Sequence, residues 1–152
     1  MNIKPKFEVS GRIARPVSDV FEAFVNPDSL SRYFTTGGAV GRIEQGATVT
    51  WDFQDFPGAF PVKVIEVEKD MRIVLKWGEE DERKGHAETT VTIRFEPTDD
   101  GRTIVSIAEE GWPATEKGFG SSYGNCMGWS QMFCAMKAWV EYGINLRDGM
   151  YK

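Results

Sequence analysis

Residues 122–144 read SYGNCMGWSQMFCAMKAWVEYGI, and the period of their apolar side chains sets the architecture of the whole chain. These side chains recur every three or four residues, which places them on one helical face; they are Trp129, Met132, Phe133, Met136, Val140 and Ile144. Ser130, Lys137 and Glu141 fall on the other faces. The pattern predicts one long helix of about 23 residues, which spans roughly 34 Å and therefore a whole small domain.

The segments that precede this helix alternate apolar with polar residues, which is the period of a half-buried β-strand. They cover residues 7–13, 48–53, 62–67, 73–77, 89–96 and 105–109. Turn-forming residues separate two of the pairs, Lys69-Asp70 in one case and Asp99-Asp100-Gly101 in the other. We therefore expect a meander of antiparallel strands with one apolar and one polar face.

Two short helices are predicted between the first strand and the second. Pro16 suits the first turn of a helix, and apolar residues follow it at helical spacing; they are Val20, Phe21, Phe24 and Val25. Residues 16–25 therefore predict one helix, which Asn26-Pro27-Asp28 ends. Residues 29–34 have room for one or two further turns.

The chain has 152 residues, which is the size of a single domain. Its order of elements is strand, two short helices, several antiparallel strands and a long C-terminal helix. This order predicts one α+β domain over residues 1–152, in which a curved antiparallel sheet wraps around the last helix. The glycine-rich residues 37–41 and 118–124 lack the spacing of phosphate-binding motifs and predict loops.

A straight helix cannot contact a strongly curved sheet along its whole length, so we expect space between them at one end. Aromatic and methionine side chains suit an apolar ligand in such a space. The candidate lining is Trp51, Phe53, Trp77, Trp112, Trp129, Phe133 and Met136. The alternative is that the same side chains fill a solid core and leave no cavity.

Glu109 and two glycines bear on this choice. Glu109 continues the inward alternation of Val105 and Ile107, and a carboxylate inside a domain needs water, a cation or a hydrogen-bond donor. We therefore expect Glu109 near the open end of the cavity, as a group that orients the ligand.

Gly124 and Gly128 are unfavourable in a helix. Either the helix begins beyond them, or the missing side chains admit close packing or leave an entrance.

Residues typical of catalytic and metal sites are sparse. His86 is the only histidine and follows the charged run 79–84, which predicts a solvated loop. Glu109 and Glu110 are neighbours in one strand and face opposite ways, so they cannot act as an acid–base pair. We expect no catalytic residue, no bound metal and no cofactor.

The charge and the cysteine content limit the partners and the compartment. A formal net charge of −5 argues against nucleic acid, whose binding depends on clustered positive charge. No run approaches about 18 apolar residues, so no membrane span is expected. Cys126 and Cys134 lie eight residues apart in one predicted helix, too far to pair, and are expected to be reduced and buried. We expect a cytoplasmic protein that is a monomer or a weak homodimer.

Several separated motifs resemble one known superfamily, in the same order along the chain. Residues 15–28, RPVSDVFEAFVNPD, resemble the opening of SRPBCC proteins, the START and birch-pollen-allergen-like superfamily. Residues 90–97, TVTIRFEP, resemble its subgroup homologous to the C-terminal domain of the heat-shock-protein-90 ATPase activator. The segments Glu110-Gly111-Trp112 and Asn125-x-x-Gly128-Trp129 are similar to the same subgroup. The resemblance covers nearly the whole chain.

The resemblance implies a helix-grip fold with a deep cavity between the sheet and the C-terminal helix, in which many members hold lipids, polyketides or sterols. Some members are cyclases or hydrolases, and others only bind. The subgroup also implies a chaperone as a partner. Three hypotheses follow: binding of a small hydrophobic or amphipathic molecule, which we place first; a stress-related interaction with a chaperone; and a cyclase or hydrolase activity.

Overall fold

The computed structural model describes residues 3–152, which form one sheet, three α-helices and a 3-10 turn. The strands are β1 (Lys6–Ile13), β2 (Gly38–Val40), β3 (Thr48–Phe53), β4 (Phe56–Glu68), β5 (Arg72–Trp77), β6 (Thr89–Pro97) and β7 (Thr103–Glu110). The helices are α1 (Val17–Val25), α2 (Pro27–Tyr33) and α3 (Glu116–Tyr142), and the 3-10 turn covers Glu82–Lys84. Each helix between residues 3 and 152 is too short or too polar to span a bilayer.

All seven strands pair antiparallel in the order β1-β7-β6-β5-β4-β3-β2. Strands β2 to β7 follow one another as a meander, and β1 joins the free edge of β7 with Val9 opposite Ile107. Helices α1 and α2 carry the chain from β1 at one edge of the sheet to β2 at the other. The curved sheet and the long α3 form the helix-grip-like α+β fold that the sequence predicts.

Helix α3 begins earlier than its apolar pattern predicts. The Gly118 N–H donates a hydrogen bond to the Thr115 hydroxyl at 3.0 Å, which caps the first turn. A Cβ at residue 118 would lie 2.0 Å from the Pro113 carbonyl oxygen, so this turn fits only with glycine there. The loop predicted for residues 118–124 is therefore wrong. The cap and the tertiary contacts of the first turn offset the low helix propensity of its glycines.

Other boundaries also differ from the predictions; β4, for example, begins at Phe56 and not at residue 62. Strand β2 lies within the predicted loop 37–41 and pairs with β3, where Ala39 is opposite Trp51. A three-residue strand is too short to show an alternation in sequence. The long helix stops before Ile144, because Gly143 adopts the left-handed conformation (φ 68°) that commonly ends helices.

Polar and reactive side chains lie mostly at the surface. The connection from β5 to β6 holds the charged run 79–84 and the exposed His86, as predicted for a solvated loop. Both cysteines are free. Cys126 is half-buried and Cys134 is exposed, so the prediction of two buried cysteines is wrong.

The core lies between the sheet and α3, and the distance between the two varies along the sheet. At β1 they approach closely, since a Cβ on Gly11 would lie 2.4 Å from two atoms of the Phe133 ring. Toward β3 and β5, rings larger than that of Phe133 fill the gap between the sheet and α3. The ring of Trp51 packs edge-on against Phe34 and Trp77, with centroids 5.2 and 5.6 Å away. The expected divergence of helix and sheet is present, with its narrow end at β1.

We expect Gly11→Ala to lower the free energy of unfolding by about 1–3 kcal/mol, because the added methyl group overpacks against Phe133. Ser10→Ala, at an exposed position of the same strand, is the control and should change this free energy by less than about 0.5 kcal/mol. Urea denaturation measures both. The cost of Gly11→Ala should shrink in a Phe133→Leu background; an equal cost in both backgrounds would contradict the assigned contact.

Candidate functional site

An aromatic cavity of about 320 Å³ opens at the wide end of the gap between the sheet and α3. Its walls come from residues 124–132 of α3, the hairpin of β3 and β4, the end of β5, the segment after α2 and the C-terminal residues 147–151. The lining side chains are Phe34, Phe53, Phe56, Trp77, Asn125, Met127, Trp129, Met132, Arg147, Met150 and Tyr151. Most of this surface is aromatic or thioether, which suits an apolar ligand.

Gly124 and Gly128 complete the wall on the α3 side. A Cβ on either glycine would have no heavy atom within 4 Å, so neither position serves close packing. Both residues lie inside α3, which excludes the interpretation that the helix begins beyond them. Their missing side chains leave open space beside the cavity, in agreement with the third interpretation, an entrance.

Glu109 forms the polar centre of the site, although only 1% of the residue is exposed. Its Oε1 accepts hydrogen bonds from the Trp129 indole N–H at 2.9 Å and the Asn125 amide at 3.2 Å. Its Oε2 accepts from the Trp77 indole N–H at 2.9 Å, the Thr89 hydroxyl at 2.5 Å and the Asn125 amide at 3.1 Å. Four neutral side chains therefore satisfy both carboxylate oxygens, as burial of such a group requires.

The strand register and one helical turn bring these donors together. Thr89 and Val91 share a face of β6, and Val91 is paired with Glu109 on β7. Thr89 and Glu109 therefore point to the same side of the sheet. The indole on β5 belongs to the residue directly opposite Thr89. Asn125 and Trp129 are four residues apart on α3, so their side chains lie on one face of the helix.

A second cavity of about 640 Å³ borders the same network. It shares Trp77, Gly124 and Asn125 with the aromatic cavity. Trp112 and the exposed His86 also line it. The residues that donate hydrogen bonds to Glu109 therefore lie between the aromatic cavity and this second cavity.

The C-terminal residues 145–152 cover one side of the aromatic cavity. Arg147 donates two hydrogen bonds to Asp55, at 2.8 and 2.7 Å, and both side chains are almost fully buried. The hydrogen bond from the Arg147 guanidinium lowers the pKa of Asp55. The Tyr151 hydroxyl donates to the Gln131 side chain of α3, and burial raises the pKa of Tyr151. This tail is therefore attached to both the β3–β4 hairpin and α3.

Five of the eight residues predicted for the site lie at the cavities or in the network between them. Phe53, Trp77 and Trp129 line the aromatic cavity, and Trp112 lines the second cavity. Glu109 points toward α3, as the alternation predicts, but it lines neither cavity. Its expected position at the open end is corrected accordingly: neutral donors satisfy it, so it does not need contact with water.

The other three predicted residues line neither cavity. Trp51 and Met136 are buried in the core, and Phe133 packs on Gly11 of β1. These three side chains pack in the core or against it. The sequence pattern predicts that these side chains are buried. It does not show whether a buried side chain packs against the sheet or lines a cavity.

Sequence reasoning missed Thr89, Asn125, Arg147 and Tyr151. A signal existed for Asn125, because it precedes Trp129 by one helical turn and carries an amide donor. Thr89 occupies an inward strand position, where a hydroxyl needs a partner. Arg147 pairs with Asp55 across 92 residues of sequence, and no periodicity connects the two.

Residues 14–141 match the sequence model of the family described as Activator of Hsp90 ATPase homolog 1-like protein. The chain belongs to this family. The resemblance inferred from the separated motifs is thereby confirmed. A search of curated proteins finds no match.

Solved structures of similar fold cover nearly the whole chain. The protein SSP2350 from Staphylococcus saprophyticus is 24% identical with a TM-score of 0.78, over 94% of this chain and 96% of that chain. The Aha1 dimer from Colwellia psychrerythraea is 18% identical with a TM-score of 0.74, over 91% and 98%. DynU16, described as a putative protein in the dynemicin biosynthetic locus, is 20% identical with a TM-score of 0.76, over 93% and 49%. At these identities the similarity shows a shared fold.

We expect Glu109→Gln to lower the free energy of unfolding by at least about 2 kcal/mol, because the new amide group would face buried donors and leave some of them without an acceptor. Glu110→Gln removes the same charge at the exposed neighbouring position and should change stability by less than about 0.5 kcal/mol. Urea denaturation of both variants measures the difference. Similar stabilities would contradict the hydrogen-bond network assigned to Glu109.

The ion pair of Asp55 and Arg147 predicts a tail whose attachment depends on pH. Because the pKa of Asp55 is lowered, the pair stabilises the attached tail fully above the ordinary value of 3.8 and loses this effect as the pH falls through the lowered pKa. Hydrogen exchange of residues 147–151, relative to intrinsic rates, should therefore increase in that acid range. Asp55→Asn should already show fast exchange near pH 7, and Asp148→Asn, at an exposed position, should not.

Proposed function

We propose that this protein binds a small hydrophobic or amphipathic molecule in the aromatic cavity beside α3. The observation that carries the proposal is the combination of an aromatic wall with two glycines that leave space instead of filling it. Glycine in a helix interior costs about 1 kcal/mol relative to alanine. Gly124 and Gly128 make no close contact that would offset this cost. A ligand that occupies the open space beside Gly124 and Gly128 would explain why glycine stands at these two helical positions.

The dimensions and chemistry of the cavity support this proposal. Its volume of about 320 Å³ lies within the range of small-molecule sites. Four aromatic side chains from the sheet, α3 and the segment after α2 line it, namely Phe34, Phe53, Trp77 and Trp129. Asn125 and Arg147 provide the few polar groups that such sites use to orient a ligand.

The position of the tail, residues 145–152, supports the proposal of a site that closes over its ligand. Met150 and Tyr151 contribute to the lining, and the ion pair of Arg147 with Asp55 holds them in place. The tail lies beside the cavity and is attached by a few polar contacts, so it is the segment whose release would widen the opening. Ligand entry is therefore expected to depend on this ion pair.

Filling the space beside Gly128 tests the proposal. Gly128→Leu should weaken ligand binding at least tenfold, because the new side chain occupies the cavity, and it should stabilise the helix by up to about 1 kcal/mol. Gly120→Leu is the matched control. Gly120 lies in the same helix, is exposed, and has no heavy atom within 4 Å of a Cβ, but it lines neither cavity. It should gain similar stability and keep binding.

The measurement combines native mass spectrometry of the purified protein with a titration followed by tryptophan fluorescence. The panel contains fatty acids, sterols and aromatic polyketide-like compounds. DynU16 comes from a biosynthetic locus, which is a reason to include biosynthetic aromatic compounds. Absence of binding by the whole panel, or equal affinity of Gly128→Leu and Gly120→Leu, would contradict the proposal.

A second candidate function is interaction with a chaperone. The family description that matches residues 14–141 favours it, because it refers to an activator of the Hsp90 ATPase. This function predicts binding to the chaperone without a small molecule, with an affinity that falls as salt rises if the acidic surface is used. A pull-down with the purified chaperone tests it, and absence of the chaperone from the bound fraction would remove it.

A cyclase or hydrolase activity has weaker support. The carboxylate offered for such chemistry, Glu109, is already occupied by four hydrogen-bond donors. A carboxylate that already accepts hydrogen bonds from four side chains is better suited to hold those side chains in place than to accept a proton from a substrate.

A further inference from the structure

Within residues 3–152, Glu109 differs from two other shielded carboxylates, Asp55 and Glu141, in taking part in no ion pair. Asp55 is paired with Arg147, and Glu141, whose side chain is 4% exposed, is paired with Lys137. Within residues 3–152, no ion pair includes Glu109. Its four donors are neutral, so they satisfy its hydrogen bonds without balancing its charge. A buried charge without a counter-charge is unfavourable, and a cation close by would be strongly attracted.

The aromatic cavity places two indole rings between this charge and a ligand. Trp77 and Trp129 both donate their indole N–H to Glu109 and both line the cavity. The face of an indole attracts cations more strongly than other aromatic rings do. Because both N–H groups donate hydrogen bonds to an anion, both rings are polarised in the direction that favours a cation at the ring face. A cation in the cavity would therefore interact with the two rings and, through them, with the carboxylate.

Other rings of the same cavity already bind cations of the chain. The Arg147 guanidinium carbon lies 4.7 Å from the centre of the Tyr151 ring and 6.0 Å from that of Phe53. The Lys152 ammonium lies 5.2 Å from the centre of the Phe56 ring. Over the rings of Trp77 and Trp129, no cationic side chain of residues 3–152 is positioned.

The ion pairs around the cavity leave the carboxylate of Glu109 without a counter-charge close to it. Asp55 balances Arg147 through two hydrogen bonds, which leaves the charge of Glu109 unbalanced. Lys152 is exposed, so water and salt screen its charge. An organic cation is therefore favoured over an anion of the same size.

The saturation of Glu109 also selects the kind of cation. Its oxygens accept five hydrogen bonds, which leaves no free lone pair for an ammonium N–H. A primary ammonium group would lose hydrogen bonds to water on entering the cavity and find no free acceptor on Glu109. A fully alkylated nitrogen has no such bonds to lose.

We infer that the ligand of the aromatic cavity carries a quaternary ammonium group, which lies against the indole rings of Trp77 and Trp129 with Glu109 as its counter-charge. This inference rests on the proposed function, because it names the chemical class of the molecule bound at the same site. The hydrophobic part of the ligand would extend toward Phe53 and Met132.

Three benzyl compounds test the inference on the wild-type protein by isothermal titration calorimetry; the first two have nearly the same shape, and the third lacks the three N-methyl groups. They are benzyltrimethylammonium, its uncharged carbon isostere neopentylbenzene, and benzylammonium. We expect benzyltrimethylammonium to bind about tenfold or more tightly than either of the others, a difference of about 1.4 kcal/mol. Equal or tighter binding of the uncharged isostere or of benzylammonium overturns the inference.

Variants at two adjacent positions assign the effect to the buried charge. Glu109→Gln should reduce the affinity for benzyltrimethylammonium about tenfold and leave that for neopentylbenzene within about twofold. Glu110→Gln removes the same formal charge at the exposed neighbour and should leave both affinities unchanged. If Glu109→Gln does not fold, as judged by near-ultraviolet circular dichroism, the wild-type comparison decides alone.

The outcomes separate this inference from the proposed function. Binding of uncharged apolar compounds that is sensitive to Gly128→Leu, without preference for the quaternary cation, overturns the inference and leaves the proposed function intact. Absence of binding by these three compounds and by the wider panel overturns both. Preference for the cation that persists in Glu109→Gln overturns the role assigned to the carboxylate.

Discussion

The buried carboxylate of Glu109 imposes the strictest condition on this structure, because a charged group that is 1% exposed must find all its hydrogen bonds inside the protein. Its donors come from β5, β6 and α3, so one side chain ties the end of the sheet to the long helix. A shift of α3 along the sheet would break several of these bonds together. The network therefore fixes the position of the helix at the wide end of the gap between helix and sheet.

The aromatic cavity follows from this constraint. With their N–H groups held by Glu109, Trp77 and Trp129 cannot turn to fill the space beside them. Gly124 and Gly128 offer no side chains in their place. At the opposite end the helix packs directly on β1, where Gly11 lets the Phe133 ring approach. The two ends of the same helix thus use glycine in opposite ways, for contact at β1 and for open space at the cavity.

The periodicity of the chain predicts most of the fold, and its failures have physical reasons. The alternation over residues 48–53 and 89–96 predicts β3 and β6 closely, since each strand has one apolar and one polar face. The first turns of α3 are missed because their glycines have low helix propensity, which the Thr115 cap and the fit of Gly118 against Pro113 overcome. For the site, aromatic inward positions predict Phe53, Trp77 and Trp129, but the same criterion also selects Trp51, which belongs to the core.

The sequence by itself determines the order of strands and helices, the family and the inward direction of Glu109, because these depend on spacing within short segments and on motifs along the chain. Only the tertiary structure decides which groups satisfy Glu109, where the cavity lies and that Arg147, which lines it, pairs with Asp55. The donors of Glu109 are 16 to 32 residues away in sequence, and Arg147 and Asp55 are 92 residues apart. Such partners meet through strand register and helix placement, which local periodicity does not encode.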